Sequence, residues 1–282
     1  MIQCEIILTG NELLVGKIAD TNGKWIIDQI VPLGIQVSQI TIIPDNLEII
    51  SSTFRSALDR KPNYIFVSGG LGPTFDDMTI LGISNVLYPP LNLIENKQSV
   101  LMMKERYETR YPDLSFDKLI QERPYLLKMA MMPEGCISLS NSEGTAPGVR
   151  FPPSITNGHT TIIAMPGIPK ELHSIFSVHI LPELRQISSD QHFYQGGFVF
   201  QNIGESKFTQ KVYELKDQYP SLWIKTHPRK SELGHWELEL HITATSGESD
   251  IFDKLKEVYS LLKQHVIQAH GIIVSENLPN RS

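Results

Sequence analysis

The sequence of 282 residues contains only two cysteines, Cys4 and Cys136, and no CxxC pair. Disulfide frameworks and structural zinc sites both need several cysteines at short spacings, so both are disfavoured. The nine histidines form no HExxH or HxH cluster, which also argues against a histidine metal site. We therefore expect a protein of a reducing compartment.

Long apolar runs and an excess of basic charge are missing as well. No stretch approaches the roughly 18 apolar residues of a membrane-spanning helix, and the opening MIQCEIILTGNE lacks the basic segment of a signal peptide. Lys and Arg number 25 against 31 Asp and Glu, a formal net charge of −6 that gives no general attraction to nucleic acid or anionic lipid. We expect a soluble, cytoplasmic protein with a small-molecule ligand and neither a nucleic-acid nor a membrane partner.

Short apolar runs alternate with helical patterns over the first two thirds of the chain. The predicted strands are Gln3–Thr9, Ile35–Ile43, Tyr64–Ser68 and Thr160–Met165. The predicted helices are Asp20–Leu33, a helix capped by Asp45 with Glu48 as its capping-box partner, Thr79–Leu87, Leu93–Tyr111 and Pro169–Ser177. This alternation predicts an α/β fold, a mostly parallel sheet with helices on both faces in three layers.

After about Leu184 the pattern changes to strand, helix, strand, strand, helix. This order predicts a second, smaller α+β sandwich domain. The polar run Arg185–Gln191 predicts the linker. We place the domains at residues 1–187 and 188–282.

Three glycine-bearing loops each follow a predicted strand of the first domain. They are TGNELLVG (Thr9–Gly16), SGGLGPTFDD (Ser68–Asp77) and PGIPKE (Pro166–Glu171). Ligands bind outside the carboxyl ends of parallel strands, so the three loops are expected on one rim. For any single loop, the alternative is that its glycines only form a turn. A fourth candidate is NSEGTAPG (Asn141–Gly148). The Lys-Ser/Thr of a Walker loop and a GxGxxG after the first strand are both missing, so an anion must be bound differently.

The second loop offers donors for a phosphate. Backbone N–H groups around Gly69, Gly70 and Gly72 can form a nest, a concave set of donors for an anion, and Thr74 adds a hydroxyl. The sequence therefore predicts a phosphate site in this loop.

Asp76 and Asp77 close the same loop. Adjacent carboxylates repel each other unless a cation or a donor lies nearby, and a hard divalent cation can bridge them to a phosphate oxygen. The alternative is that one of them caps the helix beginning at Thr79. We expect one aspartate to cap and the other to hold metal.

Further candidates lie in the other loops. Glu12 follows Gly10, and Asn22 lies in the first turn of a predicted helix, where a ligand contact and a capping role are equally open. Glu171 lies in the first turn of another helix, whose dipole alone favours a carboxylate.

Together the loops resemble a known family. GNELLVGKIADTN, GGLGPTFDDMT, NSEGTAPG and MPGIPKEL resemble the molybdopterin-binding (MoaB/Mog-like) domain as it occurs in the CinA family of competence/damage-inducible proteins. The second segment has the GGLGPTxDDxT form of the CinA branch rather than the GGTG form of the dedicated molybdenum-cofactor enzymes. IGESKF (Ile203–Phe208) and WELELHIT resemble the small α+β domain that follows in CinA, so the resemblance covers nearly the whole chain. We expect the family's C-terminal deamidase domain to be lacking, so the resemblance implies no deamidase activity for this chain.

The resemblance implies metal-dependent hydrolysis of ADP-ribose to AMP and ribose 5-phosphate, a divalent metal (Mg, Mn or Co) as cofactor and a homodimer. A nest and a metal ion can neutralise a pyrophosphate, and the metal can activate the water that attacks phosphorus. By motif, Asp76 and Asp77 are the metal-binding and catalytic residues. Lys207 is a further catalytic candidate if the second domain folds over the site; a solvated surface lysine is the competing interpretation. The implied substrate and phosphate contacts are Gly10, Glu12, Asn22, Gly69, Gly70, Gly72, Thr74, Asn141, Gly144, Thr145, Gly167 and Glu171.

Two other functions stay open. One is a molybdopterin-binding or adenylyl-transferring protein of molybdenum-cofactor metabolism, against which the LGPT form of the loop counts. The other is a non-catalytic nucleotide-binding regulatory module, against which the paired Asp76 and Asp77 count, because binding alone needs no paired carboxylates.

Overall fold

The computed structural model describes residues 2–87, 89–113, 115–190, 192–232, 234–246 and 250–281. These residues divide into two compact units. The first comprises residues 2–30 and 36–186, and the second comprises residues 31–35 and the described chain from Ile187 onward. Gln191, the last residue of the predicted linker, lies outside the described residues.

The first unit contains strands that each coincide with a short apolar run. They are β1 (Gln3–Thr9), β2 (Gln36–Ile43), β3 (Tyr64–Ser68), β4 (Leu93–Glu95), β5 (Met131–Pro133), β6 (Ile137–Leu139), β7 (Gly148–Phe151) and β8 (Thr161–Met165). The helices of this part of the chain are α1 (Asn11–Leu14), α2 (Asn22–Ile30), α3 (Leu47–Arg60), α4 (Thr79–Ser84), α5 (Lys97–Arg110), α6 (Phe116–Glu122), α7 (Pro169–Ile175) and α8 (Leu181–Ile187).

Six of these strands form one sheet in the order β2-β1-β3-β8-β7-β6 within the described chain. β1, β2, β3 and β8 are parallel, whereas β7 is antiparallel to β8 and to β6. Every residue of β3 and β8 is buried, as expected for central strands covered on both faces. The predicted mostly parallel α/β sheet is confirmed.

Helices cover the sheet on two faces. On one face, Ile50 and Phe54 of α3 pack in a cluster with Ile65 and Val67 of β3. On the other, Phe66 of β3 makes an edge contact with Phe176, the residue that follows α7. Because neighbouring strand residues point to opposite faces, this alternation produces the three-layer arrangement.

The helix predicted to begin at Asp45 begins one residue later than its predicted cap requires. Asn46 is the N-cap of α3, and its side chain accepts hydrogen bonds from the backbone N–H groups of Glu48 and Ile49. A cap bonds to the second and third helical residues, so Glu48 is one position short of a capping-box partner. The prediction of an Asp45 cap is therefore wrong, and the Asp45 side chain does not bond to the start of α3.

The helix predicted at Leu93–Tyr111 is also shorter at its start. Residues Leu93–Glu95 form β4, which pairs with β5, and α5 begins only after the Asn96 cap. Asn96 accepts a hydrogen bond from the N–H of Ser99 at 2.9 Å, which fixes the helix start there. α4 likewise ends at Ser84 rather than at Leu87.

The second unit is a smaller sheet with two helices. Its elements are β9 (His192–Gln201), α9 (Glu205–Gln218), β10 (Trp223–Lys230), β11 (Trp236–Ser246), α10 (Ile251–Gln268) and β12 (Ile272–Arg281). The antiparallel strand order is β10-β11-β9-β12, and Phe200 of β9, Phe208 of α9 and Leu255 of α10 share one core. The predicted second, smaller domain of α+β type is confirmed.

β12 was not predicted. It is a largely exposed edge strand, contains Pro279 and pairs with β9 through two register shifts, so its sequence shows no apolar alternation.

Among the helices of the described chain, none combines the length and the apolar character needed to cross a bilayer.

Candidate functional site

A cleft of about 550 Å³ opens in the first unit where β1, β3 and β8 end. The loops that follow these strands supply most of its walls, and its size is typical of small-molecule sites. The cleft lining includes these sequence-predicted residues: Gly10, Glu12, Gly69, Gly70, Gly72, Thr74, Asp76, Asp77, Thr145, Gly167 and Glu171.

The glycine loop after β3 is pressed against buried threonines. Gly69 and Gly70 have φ angles of +105° and +70°, which side-chain-bearing residues rarely adopt. The hydroxyl of Thr79 donates to the carbonyl oxygen of Gly69 at 2.9 Å, and a Cβ at Gly70 would collide with the same hydroxyl. Both glycines are therefore required by the backbone path of the loop.

The loop leaves three consecutive backbone donors free. Within the described chain, the N–H groups of Gly70, Leu71 and Gly72 donate to no protein acceptor. All three residues line the cleft. Free N–H groups in succession after a positive-φ glycine form an anion-binding nest. The N–H of Gly69 does not belong to it, because it donates to the carbonyl oxygen of Met165 at 2.9 Å.

Thr74, Asp76 and Asp77 form a tight oxygen cluster at the end of the loop. The Thr74 hydroxyl oxygen lies 2.5 Å from Oδ1 of Asp76 and 2.5 Å from Oδ2 of Asp77. A hydroxyl carries one proton, so it can donate to only one carboxylate at a time. The hydrogen bond from Thr74 lowers the pKa of Asp76, and the charge of Lys128 lowers it further. Asp76 is therefore a carboxylate anion at neutral pH.

Neither aspartate caps α4. The N-cap of that helix is Met78, which makes no side-chain cap hydrogen bond, and Asp77 instead accepts from the Thr74 N–H at 2.8 Å. This hydrogen bond closes a turn within the loop, before the helix begins. The Asp77 carboxylate therefore accepts from the loop and not from the first N–H groups of α4. The predicted capping role for one of the two aspartates is wrong.

Asp45 belongs to the cleft, although the sequence suggested a cap. Its Oδ2 accepts a hydrogen bond from the N–H of Asn11 at 2.9 Å. Burial raises the pKa of Asp45, and the charges of Glu12, Asp76 and Asp77 raise it further. Four carboxylates of one rim therefore repel one another. The available signal was Asn46, a cap residue of equal quality directly after it.

Lys128 is a second residue that sequence motifs did not identify. It lies in the 3₁₀ segment Pro124–Ala130, and its Nζ donates to the carbonyl oxygen of Thr74. The cleft lining itself contains five acidic side chains and, as far as the structure describes it, no Lys, Arg or His. Lys128 is thus a nearby cation that partly offsets the negative charge of the cleft at Asp76, as Arg106 and Arg110 do at Glu171.

Glu171 is held by the loop that contains Asn141. The Nδ2 of Asn141 donates to Oε2 of Glu171 at 2.7 Å, and its Oδ1 accepts from the N–H of Gly144 at 2.9 Å. A Cβ at Gly144 would collide with the Glu171 carboxyl group. Burial raises the pKa of Glu171, against the hydrogen bond from Asn141. Asn141 and Gly144 do not line the cleft. They contact the carboxyl group of Glu171 and so fix its position.

Asn22 is buried beside the cleft. Its Nδ2 donates to Oγ of Ser68 at 2.9 Å and to the carbonyl oxygen of Gly167 at 2.8 Å, which ties α2 to two of the three loops. Its Oδ1 has no hydrogen-bond partner in the described part of the chain. Asn22 lines a side cavity of about 90 Å³, so this oxygen can accept from a ligand hydroxyl or a water.

Lys207 lies on the exposed side of α9 in the second unit. Its catalytic role stays a prediction.

The donor set fits a hard divalent cation held together with a phosphate. No group of three or more His, Cys, Asp or Glu side chains in the described residues is arranged to hold a metal ion by itself. Magnesium is commonly bound by one or two carboxylates, with substrate phosphates and waters completing its shell. Asp76 and Asp77 can supply those two carboxylates next to the free N–H groups of the nest.

Residues 5–186 match a known domain family, the probable molybdopterin binding domain. The chain belongs to this family. The match includes all six strands of the sheet except the first two residues of β1, and the predicted resemblance to the MoaB/Mog-like domain is confirmed.

Relatives match over most of the chain. Protein SSO0103 of Saccharolobus solfataricus is 37% identical over 271 residues, which cover 95% of this chain and 93% of that protein. A protein of Sulfurisphaera tokodaii is 35% identical over 271 residues, with 96% and 97% covered. Neither name states an activity.

A solved structure supports the predicted kinship with CinA. The crystal structure of the protein CinA from Thermoplasma acidophilum, described as of unknown function, has a TM-score of 0.54 and 31% identity. The likeness covers 64% of this chain and 98% of that one.

Proposed function

We propose that this protein is a divalent-metal-dependent nucleotide pyrophosphatase that hydrolyses ADP-ribose to AMP and ribose 5-phosphate. One observation carries the proposal: the free N–H groups of Gly70, Leu71 and Gly72 lie in the same loop as Asp76 and Asp77, in a cleft whose described lining has no basic side chain. The carboxylates of this acidic cleft would repel an anion bound at the nest, unless a cation binds together with the anion.

Electrostatics explains why the ligand must bring a metal. A pyrophosphate entering alone would meet the carboxylates of Glu12, Asp45, Asp76 and Asp77. Burial raises the pKa of Asp45, and the charges of the other three carboxylates raise it further. Like charges brought together in one cleft disfavour each other, so the carboxylates oppose the binding of a bare pyrophosphate. A pyrophosphate bound as its divalent-metal complex removes this conflict, because the cation is attracted to the same carboxylates.

The residues then have distinct tasks. The N–H groups of Gly70, Leu71 and Gly72 bind the oxygens of one phosphate and hold it for in-line attack. Asp76 and Asp77 would hold the cation, which when bound supplies charge neutralisation and a more acidic attacking water. Asp45, a cleft carboxylate with a raised pKa, is suited to accept the proton of that water. Water adds to one phosphorus of the pyrophosphate, and the anhydride P–O bond at that phosphorus breaks. The other phosphate leaves as part of the second product, which is ribose 5-phosphate or AMP.

The direct test is product formation from ADP-ribose. Purified protein is incubated with ADP-ribose, NAD and FAD in separate reactions with magnesium, manganese or cobalt, and AMP is separated by ion-exchange chromatography. We expect AMP from ADP-ribose only when a metal is present, and none after chelation. The proposal fails if AMP formation does not exceed that of a double variant, Asp76→Asn with Asp77→Asn, under any of the metals.

A second candidate function is binding of a molybdopterin, favoured by the family to which the chain belongs. It is distinguished by tight binding of a pterin, or transfer of an adenylyl group from ATP to one, without hydrolysis of ADP-ribose. A nucleotide that binds but is not hydrolysed would instead support a regulatory module. The homodimer stays a prediction, which sedimentation velocity at micromolar concentration tests against the 31.8 kDa of one chain.

A further inference from the structure

A smaller, mostly apolar pocket of about 160 Å³ adjoins the glycine loop. It shares Gly70, Leu71, Gly72, Asp77 and Met129 with the phosphate cleft. The rest of its lining is mostly aliphatic and thioether side chains, together with one aromatic ring and one cation: Met78, Ile80, Leu81, Leu93, Met131, Pro147, Val149, Phe75 and Lys128. Hydrolysis of a pyrophosphate makes no use of such a pocket, so its lining needs another explanation.

Phe75 lies at this pocket and is 86% exposed. It makes no ring–ring or cation–π contact with any residue that the structure describes. A phenylalanine so exposed leaves nearly all of its apolar area in water, and an aromatic base stacked on the ring would cover one face of it. Its neighbour in sequence is Asp76, so the ring and the proposed metal ligands lie in one loop.

We propose that this pocket receives the planar aromatic base of the nucleotide whose phosphates lie in the cleft, with Phe75 stacked on the base. The inference rests on the proposed function for the position of the phosphates. Its ligand class is a nitrogen-containing aromatic ring carried on a phosphate, and in ADP-ribose that ring is adenine.

The size and chemistry of the pocket favour a ring over a sugar. Apolar cavities of about 150 Å³ accept benzene, so about 160 Å³ with an open side admits one planar ring system. Methionine sulfurs, here Met78, Met129 and Met131, make favourable contacts with aromatic rings. Ribose hydroxyls would lose their hydrogen bonds over most of this lining, in which Asp77 and Lys128 are the charged side chains, so the ribose 5-phosphate half is the poorer occupant.

The test compares AMP with ribose 5-phosphate by calorimetry in the presence of magnesium. We expect Phe75→Ala to weaken AMP binding at least about fivefold, because base–aromatic stacking contributes on this scale. Phe75→Trp should retain the affinity and Phe75→Leu should recover it only in part, since Leu restores apolar area without a π face. The dissociation constant of ribose 5-phosphate should be the same in all variants, which shows that the metal and phosphate contacts are intact.

Two further variants separate stacking from general effects. Leu81→Trp, at a side chain 39% exposed on the pocket wall, should narrow the pocket and weaken AMP but not ribose 5-phosphate. Tyr111→Ala removes an aromatic ring 46% exposed outside both linings and should change neither affinity.

The outcomes distinguish this inference from the proposed function. If AMP binds through Phe75 but ADP-ribose is not hydrolysed, the base pocket stands and the pyrophosphatase proposal falls. If ADP-ribose is hydrolysed with a KM that Phe75→Ala leaves unchanged, the pyrophosphatase stands and the base pocket falls. Equal affinities of the wild-type protein for AMP and ribose 5-phosphate, or no AMP binding, also overturn the base pocket.

Discussion

Oδ2 of Asp77 accepts a hydrogen bond from the backbone N–H of Thr74 at 2.8 Å and also lies 2.5 Å from the hydroxyl oxygen of the same residue. Asp76 shares only the hydroxyl. Asp77 is therefore part of the loop's own framework, whereas Asp76 is held more loosely and stays anionic because its pKa is lowered. The two adjacent acids have separable contributions to folding and to metal binding.

The first prediction separates those contributions. Asp76→Asn and Asp77→Asn should each lower metal-dependent hydrolysis about a hundredfold or more, because each removes a charge from the proposed cation site. In the absence of metal, Asp77→Asn should also lower the free energy of unfolding by about 1 kcal/mol, since an amide oxygen is a weaker acceptor than the carboxylate. Asp76→Asn should lower it less, because Asp76 lies within hydrogen-bond distance of the Thr74 hydroxyl only and not of the backbone N–H.

Urea unfolding with and without magnesium, together with AMP formation, measures both effects. Asp113→Asn, at an exposed position outside the cleft lining, is the matched control and should change neither. Wild-type hydrolysis by both single variants under magnesium, manganese and cobalt would show that these acids hold no catalytic metal.

The second prediction concerns the pH dependence of stability at Glu171. Burial raises its pKa in the folded protein, so the folded state binds this proton more tightly than the unfolded state. The stabilisation is therefore present below the ordinary pKa of about 4.3 and is lost as the pH rises through the raised value. Glu171→Gln, which can still accept from Asn141, should remove this loss and be more stable than wild type at pH 7.

Urea denaturation at intervals from pH 4 to pH 7 checks this. The stability difference between Glu171→Gln and wild type should grow with pH, whereas Glu122→Gln, an exposed control, should show no such growth. A constant difference across the range would mean that Glu171 titrates normally.

Much of the site could be predicted because its loops follow buried strands. β1, β3 and β8 are near-continuous apolar runs, and the parallel arrangement they imply brings Gly10, Gly70 and Gly167 to one rim. Local pattern was sufficient here, since strand identity and sheet sense together fix where the loops lie.

The features that could not be predicted depend on individual hydrogen bonds, for which the sequence offers several partners or no local signal. Asp45 and Asn46 are equally good caps by type, and only the exact helix start decides which one is left for the cleft. Lys128 reaches Thr74 across 54 positions of sequence, without any motif at either end. The occupied N–H of Gly69 depends on the position of Met165 on the neighbouring strand.

The third prediction tests the exchanged roles of Asp45 and Asn46. Asn46→Ala should destabilise the protein by about 1 kcal/mol, because it removes the oxygen that accepts from Glu48 and Ile49. Asp45→Asn should cost less stability but should weaken hydrolysis and shift its pH profile, because it removes the proposed proton acceptor. Thermal unfolding and pH–rate profiles of both variants provide the comparison. A larger loss of stability in Asp45→Asn than in Asn46→Ala would contradict the assignment of the cap.

The last prediction concerns the glycine loop, for which the chain contains a matched control. Gly70 and Gly16 have nearly the same left-handed backbone, with φ of +70° and +68°. A Cβ at Gly16 meets nothing within 4 Å, whereas a Cβ at Gly70 collides with the hydroxyl of the buried Thr79. Gly16→Ala therefore costs only the backbone strain, about 1 kcal/mol, and should leave AMP binding intact.

Gly70→Ala adds the collision to the same strain, and because Thr79 is fully buried in the core, the loop must move rather than the threonine. The three free N–H groups begin at residue 70, so this displacement should abolish binding of AMP and of inorganic pyrophosphate with magnesium while the protein stays folded. The bulkier Gly70→Val should do the same. Calorimetry of both ligands, with circular dichroism as the folding check, decides the outcome. If Gly70→Ala binds both ligands as Gly16→Ala does, the loop is a turn and not an anion-binding nest.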